Sequence, residues 1–144
     1  MVEAKSMQTP IRVRYAPSPT GDPHLGNIRT ALFNWLYARS HRGVFIVRIE
    51  DTDQRRYLPE TFFTIMQALK WLGLDWDEGP SEDGESSVGL YGPYIQSERL
   101  AIYHGIAEKL VNTDLAYPCF CSPQRLEDLR RSQQQAKLNL GYDG

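Results

Sequence analysis

Apolar and polar residues change period several times along this chain, and each change marks an element. Ile11-Arg12-Val13-Arg14-Tyr15 alternates, as a half-buried strand does. Ile28, Ala31, Leu32, Trp35 and Leu36 then fall on one helical face, and Ser40-His41-Arg42-Gly43 supplies cations for the helix dipole and a glycine stop. Val44-Phe45-Ile46-Val47-Arg48-Ile49 is a nearly unbroken apolar run, the pattern of a strand buried on both faces. Together these make a β-α-β unit with parallel strands and a right-handed crossover.

A second helix opens at Pro59, buries a stripe of Phe62, Phe63, Met66 and Leu69, and stops at Gly73. Leu74-Asp75-Trp76 reads as a short strand, and residues 77–93 as a loop rich in Gly, Ser and acid. A third helix is capped near Ser97, with Leu100, Tyr103, Ile106, Ala107 and Leu110 on its inner face. Leu115 to Cys121 reads as a strand, and Pro118 puts it at an edge. Ser122-Pro123 caps and opens a fourth helix that runs to about Ala136. Residues 1–10 read as a disordered leader. No internal repeat or low-complexity segment interrupts the pattern.

Composition narrows the class. The 144 residues are 41% hydrophobic and 24% charged, which is ordinary for a globular protein. A net charge of −2 gives no global signal for nucleic acid, so any RNA contact must come from a local patch. No apolar run reaches membrane-span length, and residues 1–10 lack the apolar core of a secretory signal. Two cysteines separated by one residue are poorly placed for a disulfide and point to a reducing compartment, the cytoplasm.

The chemistry concentrates between the first strand and the first helix, in Arg14-Tyr15-Ala16-Pro17-Ser18-Pro19-Thr20-Gly21-Asp22-Pro23-His24-Leu25-Gly26-Asn27. Such a connection is stiff at its prolines and open at its glycines. It delivers His24, Gly26 and Asn27 to the first turn of a helix, where backbone N–H groups lack partners and the dipole favours an anion. Phosphate-bearing ligands are commonly held this way.

This stretch resembles the signature of glutamyl-tRNA synthetases, in which R-[FY]-A-P-S-P-T-G precedes a form of the H-I-G-H motif. The resemblance continues through Arg29 to Asn34, Val47 to Asp53, Trp71 to Pro80 and Gly92 to Arg99, and covers nearly everything from Ile11 to Gly144. It implies an α/β chain: residues 11–95 as the first half of a Rossmann-like nucleotide-binding fold, and 96–144 as the start of an inserted module that binds the tRNA acceptor end. It implies ATP with Mg²⁺, L-glutamate and tRNA(Glu) as partners, and no membrane. Members of the family are several times longer and carry a second motif of the K-M-S-K-S type. Nothing here matches it, so the resemblance implies an N-terminal fragment without activity of its own.

Residue by residue, the resemblance assigns catalysis to His24 and Asn27, and ATP binding to Pro17, Thr20, His24, Gly26 and Asn27. The asparagine stands where many relatives end the motif in histidine, and is itself common in glutamyl enzymes. Arg14, Ala16, Ser18 and Glu50 match the glutamate pocket. The residues suit that role, because a guanidinium fork pairs with a carboxylate and a carboxylate accepts from an ammonium. Arg14 ends the first strand and Glu50 the second, so parallel pairing brings both to one end of the sheet. The bland alternative is that Arg14 and Glu50 only pair with each other. Glu50, Asp51 and Asp53 form an acidic cluster that could hold Mg²⁺, but Arg48, Arg55 and Arg56 flank it. A structural network is the preferred reading, with the metal arriving on ATP.

Tyr94, Gln96 and Arg99 lie in the segment that the resemblance places near the tRNA acceptor end; the alternative is a structural helix entrance. Cys119 and Cys121 are open to two readings, two small core residues or half of a zinc site. In zinc-bearing relatives further ligands follow a Tyr-Asp-Gly, which stands here as Tyr142-Asp143-Gly144. Three other readings compete: a relative that glutamylates queuosine in tRNA, another H-x-G-H nucleotidylyltransferase, and a non-catalytic nucleotide- or RNA-binding module. Gly26-Asn27 argues against the first, and the Arg48 to Asp53 and Gly92 to Arg99 segments against the second.

Overall fold

A computed structural model describes residues 10–143. The leader expected over 1–10 lies outside the described residues except for Pro10. The elements are β1 (Arg12–Tyr15), α1 (Leu25–Ser40), β2 (Val44–Val47), α2 (Pro59–Trp71), β3 (Gly79–Pro80), β4 (Ser87–Val88), a 3₁₀ turn (Gln96–Arg99), α3 (Leu100–Asn112) and α4 (Pro123–Gln135). The chain forms two compact units, one up to Tyr103 and one from His104 onward.

In the first unit β1 and β2 pair in parallel, with Arg14 opposite Ile46 and Tyr15 opposite Val47. The β-α-β unit expected from the pattern is therefore present. The two-sided burial expected of β2 is not. Phe45, Val47 and Ile49 are buried, whereas Val44 and Ile46 are only half-buried, so the run alternates after all. The outer edge of β2 is occupied by loop backbone and one side chain. Phe45 N–H donates to Asp77 Oδ2 at 2.7 Å, Val47 N–H to Glu78 O at 2.8 Å, and Ile49 N–H to Tyr94 O at 3.0 Å. The strand expected at Leu74-Asp75-Trp76 does not form. The pairing moves a few residues on, to an isolated parallel bridge between Ile46 and Glu78 and to the β3–β4 hairpin inside the expected loop.

Tyr15, Ala31, Ala38, Phe45, Val47, Ile49, Phe62, Ile65, Met66, Leu69 and Leu74 make one core. Each large member contributes about 1.5–3 kcal/mol by leaving water. α1 reaches this core through its alanines, whose small side chains permit close approach to the sheet. Its larger apolar residues fall to the flanks, so Leu32 and Leu36 are exposed, contrary to the expected stripe. α2 starts at Pro59 as expected and buries Phe62, Met66 and Leu69, but Ile65 replaces Phe63, which is exposed. Gly73 follows its end with φ +69°, a conformation that suits glycine.

Ser97 does not cap a helix. Gln96–Arg99 is a 3₁₀ turn with Ile95 before it, and the Ser97 amide instead donates to Asp51 Oδ1 at 2.8 Å. α3 has no buried residue, so its expected inner face is not covered: Leu100, Ile106 and Leu110 are exposed. Leu115 to Cys121 is irregular instead of a strand. Pro118 removes one donor there, and no described strand lies alongside to pair with the others. α4 follows the expectation closely, with the Ser122 hydroxyl accepting from Arg125 N–H and Pro123 in the first turn.

Candidate active site

The site grows from the point where β1 ends. Arg48 N–H donates to Tyr15 O and Glu50 N–H to Pro17 O at 2.8 Å, extending the parallel ladder past the strands and fixing the loop to the end of β2. Leu58 N–H donates to Pro19 O, and Pro17 and Pro19 are buried. A stiff, pinned loop thus leads into α1. It walls a cavity of about 530 Å³ lined by Arg14, Ala16, Pro17, Ser18, Thr20, His24 and Asn27, with Thr30 one turn further along the helix. Seven positions assigned from sequence to glutamate or ATP therefore share one cavity, at the C-terminal end of parallel strands where open α/β sheets bind ligands.

His24 is the N-cap of α1, with an extended backbone (φ −86°, ψ 164°). Its Nδ1 accepts from Gly26 N–H at 3.1 Å, and its carbonyl accepts from Asn27 N–H at 2.9 Å. This corrects the expectation that these amides are unpartnered, because the histidine itself caps them. The cap has a chemical consequence. A neutral imidazole that accepts at Nδ1 carries its proton on Nε2, so the ring presents a donor. Gly26 matters here because a Cβ at that position would stand 3.0 Å from the His24 ring.

Glu50 and Gly26, also assigned to these ligands from sequence, do not line the cavity. Arg14, which does, connects to Glu50: Arg14 Nη1 donates to Glu50 Oε1 at 2.7 Å, and Arg48 Nε donates to the same oxygen at 2.9 Å. Arg14 and Glu50 do converge across 36 positions, and they pair with each other. Tyr15, the neighbour of Arg14, is 3% exposed, and burial pushes its hydroxyl up to about 12; that oxygen has no hydrogen-bond partner.

The acidic cluster is a network. Glu50 is held by arginines, Asp53 is paired with Arg56 at 2.6 Å, and buried Asp51 accepts from Ser97 N–H and the Gln54 amide. The Arg56 hydrogen bond holds the Asp53 carboxyl below its usual range. Among the described residues no three His, Cys, Asp or Glu side chains gather as a metal site.

Of the residues expected near a tRNA end, Tyr94 is 3% exposed, and its hydroxyl donates to Glu78 Oε2 at 2.7 Å and accepts from Tyr91 N–H. The Gln96 backbone N–H donates to Ile49 O at 2.9 Å. Arg99 Nη1 donates to the carbonyls of Tyr91 and Pro93. These contacts serve the fold. Sequence reading did not find Glu78 itself, which is 8% exposed and takes both Arg12 Nη1 and Nη2 at 2.6 and 2.7 Å. Nor did it find Thr30, although Asn27 and Thr30 are spaced to share a helical face. In the second unit, Cys119 and Cys121 Sγ lie 3.1 and 3.5 Å from Tyr142 Oη. The Tyr142 hydrogen bond draws the Cys119 thiol below its usual range. Two thiols and a phenol fall short of a tetrahedral zinc set.

Comparison with known proteins identifies the family. The family model of class I tRNA synthetases (E and Q), catalytic domain, matches residues 10–142. The glutamate–tRNA ligase of Dehalococcoides mccartyi is 57% identical over 137 residues, which are 95% of this chain and 27% of the relative. That of Streptomyces coelicolor is 45% identical over 141 residues, 98% of this chain and 28% of the relative. A crystal structure of a glutamate tRNA ligase from Elizabethkingia meningosepticum, in complex with its amino acid, superposes with a TM-score of 0.80 at 44% identity, over 93% of this chain and 26% of that one. The chain thus spans about a quarter of the length of these relatives. With its parallel two-stranded sheet, its loop-to-α1 cavity and a family match over nearly all described residues, the chain belongs to the class I tRNA synthetases for glutamate and glutamine, as part of their catalytic domain.

Proposed function

We propose that the protein carrying this chain is a glutamate–tRNA ligase, and that residues 11–95 supply its amino-acid and ATP sites. In this reading an α-carboxylate oxygen of glutamate attacks the α-phosphorus of ATP. A carbon–oxygen–phosphorus link forms, the bond to the β-phosphate bridging oxygen breaks, and pyrophosphate leaves. A terminal ribose hydroxyl of tRNA(Glu) then attacks the carbonyl carbon; an ester forms, the carbon–oxygen bond to the phosphate breaks, and AMP leaves. The reacting carboxylate must face phosphorus, so the carboxylate taken by Arg14 is the side-chain one, with Ala16 and Ser18 alongside. Glu50 accepts from the ammonium. The Nε2–H of His24 and the Asn27 amide donate to phosphate oxygens where charge develops, while Pro17, Thr20 and Gly26 shape the ATP side. Mg²⁺ arrives with ATP, since the nearby acids are already paired.

Residues 96–144 begin the tRNA acceptor module in this proposal, with Gln96 and Arg99 at its entrance and Tyr94 behind them. Zinc held by Cys119 and Cys121 would need two further ligands. No described helix is long and apolar enough to cross a membrane; the proposed compartment is the cytoplasm. The observation that carries the reading is the single cavity shared by Arg14, Ser18, His24 and Asn27. ATP–pyrophosphate exchange by the full-length protein tests it, comparing glutamate, glutamine and no amino acid, with and without tRNA. Exchange dependent on glutamate is expected; exchange driven equally by glutamine, or none with any amino acid, overturns it.

A further inference from the structure

We propose that Arg48 is a positioning residue that holds Glu50 in place while Arg14 changes partner from Glu50 to the incoming carboxylate. The inference rests on the glutamate-binding reading above. It starts from an asymmetry: both arginines donate to the same oxygen, Glu50 Oε1, at 2.7 Å from Arg14 Nη1 and 2.9 Å from Arg48 Nε. Arg14 lines the cavity, whereas neither Arg48 nor Glu50 does. The Arg14 side chain is 41% exposed, against 24% for Arg48 and 22% for Glu50. The cation that can reach a ligand is thus the more open one. The cation outside the lining is the more enclosed, on a backbone fixed by Arg48 N–H to Tyr15 O at 3.0 Å.

The arrangement solves a problem that a simple Arg14–Glu50 pair would create. A guanidinium committed to a protein carboxylate must give up that bond to bind a ligand carboxylate, and the abandoned group is left without its counter-charge in a partly enclosed site. Such an exchange would cancel much of the ligand's gain. With Arg48 in place, Glu50 keeps one charged hydrogen bond throughout. Its Oε1 stays anchored, which leaves Oε2 as the oxygen to accept from the ligand ammonium. Arg14 moves between two carboxylates, and Arg48 moves nowhere. The same logic explains why the two arginines differ in how they bond. Arg14 uses a terminal nitrogen, which swings with the side chain; Arg48 uses Nε, close to its stem.

The test uses ATP–pyrophosphate exchange by the full-length protein, with Arg48→Gln and Arg48→Lys, and glutarate as a competitive inhibitor. Glutarate has both carboxylates of glutamate and no ammonium. Arg48→Gln is expected to raise KM for glutamate about tenfold, the worth of one charged hydrogen bond near the low end of its range, with kcat within about threefold. Glutarate inhibition should weaken more than glutamate binding, because no ligand ammonium then compensates Glu50. Arg48→Lys should recover part of the loss. If wild-type protein shows no glutamate-dependent exchange, the functional reading has failed, and this inference with it. If wild type is active and Arg48→Gln leaves KM for glutamate unchanged, the inference alone is wrong. A loss confined to kcat, or equal losses for glutamate and glutarate, also overturns it. Should Arg48→Gln fail to fold, Arg48→Lys carries the decision: a rise in the glutarate inhibition constant larger than the rise in KM supports the proposal, and unchanged constants refute it.

Discussion

Replacing Glu78 by glutamine probes a buried charge that joins three segments of the first unit. Glu78 receives both arms of Arg12 at 2.6 and 2.7 Å and the Tyr94 hydroxyl at 2.7 Å, and its own carbonyl accepts from Val47 N–H. Glutamine keeps the volume and one acceptor oxygen, but its amide turns donors toward a donor-only guanidinium. One arm of the fork is lost and the remaining bond is no longer between two charges. A charged hydrogen bond is worth about 1.5–3 kcal/mol when its partner stays buried. The Arg12 side chain is 33% exposed, so water recovers part of that. A destabilisation of about 1.5–2.5 kcal/mol near neutral pH follows. The Arg12 hydrogen bond also holds the Glu78 carboxyl below its usual range. A lowered folded-state pKa stabilises above the unfolded value, about 4.3 for Glu, and that contribution is lost as pH falls through the folded value. The gap between wild type and Glu78→Gln should thus be full at pH 6–7 and close on acidification below about pH 4. Urea unfolding of both proteins at stepped pH measures it. A gap below about 0.5 kcal/mol at neutral pH, or one that persists unchanged into acid, would refute this account of the cluster.

Three further outcomes follow from the site and its surroundings. Arg14→Ala should cost at least about 2–3 kcal/mol in kcat/KM for glutamate, mostly through KM, because the ligand carboxylate loses a fork donor; an unmoved KM would exclude Arg14 from the pocket. His24→Ala should lower the rate of ATP–pyrophosphate exchange by about 10²–10³ while changing KM for glutamate far less, since the Nε2 donor is aimed at phosphate; the reverse split would place the histidine on the amino acid. Tyr15→Phe removes a buried hydroxyl that has no partner, so thermal unfolding should show it neutral or more stable by up to about 1 kcal/mol; a clear loss of stability would mean that the oxygen is satisfied.

The cavity was legible because its residues are nearly contiguous. Arg14 to Asn27 needs only one strand, one stiff loop and one cap to converge, and Glu50 follows from parallel pairing. What escaped was set by distant partners. Glu78 looks like one acid among several in a loop; only the fold shows that the loop re-enters beside β2 and meets Arg12 and Tyr94. The hairpin was missed because Gly79-Pro80 and Ser87-Val88 are too short to show a period. Gly89 at φ +119° marks the exit from that hairpin, where any Cβ would collide with the Tyr94 hydroxyl and Glu78. Helical stripes misled for a related reason. A period reports which residues could share a face, not how close that face approaches a neighbour. In α1 two alanines make the approach while Leu32 and Leu36 stay outside, and in α3 the apolar face is uncovered among the described residues.

The sealed flank of β2 bears on self-association. An unpaired strand border offers a row of donors and acceptors on which a second chain can grow. Here the outward amides of Phe45, Val47 and Ile49 are spent on Asp77, Glu78 and Tyr94, and the Phe45 and Ile49 carbonyls accept from Asp77 and Gln96 N–H. A carboxylate and two stretches of loop do the work of a neighbouring strand without presenting a new border beyond. Intermolecular strand addition is therefore blocked on this flank, and within the β1–β2 sheet the border left to receive another strand is that of β1. Any enlargement of the sheet is steered to one side, away from the loop that re-enters at Glu78.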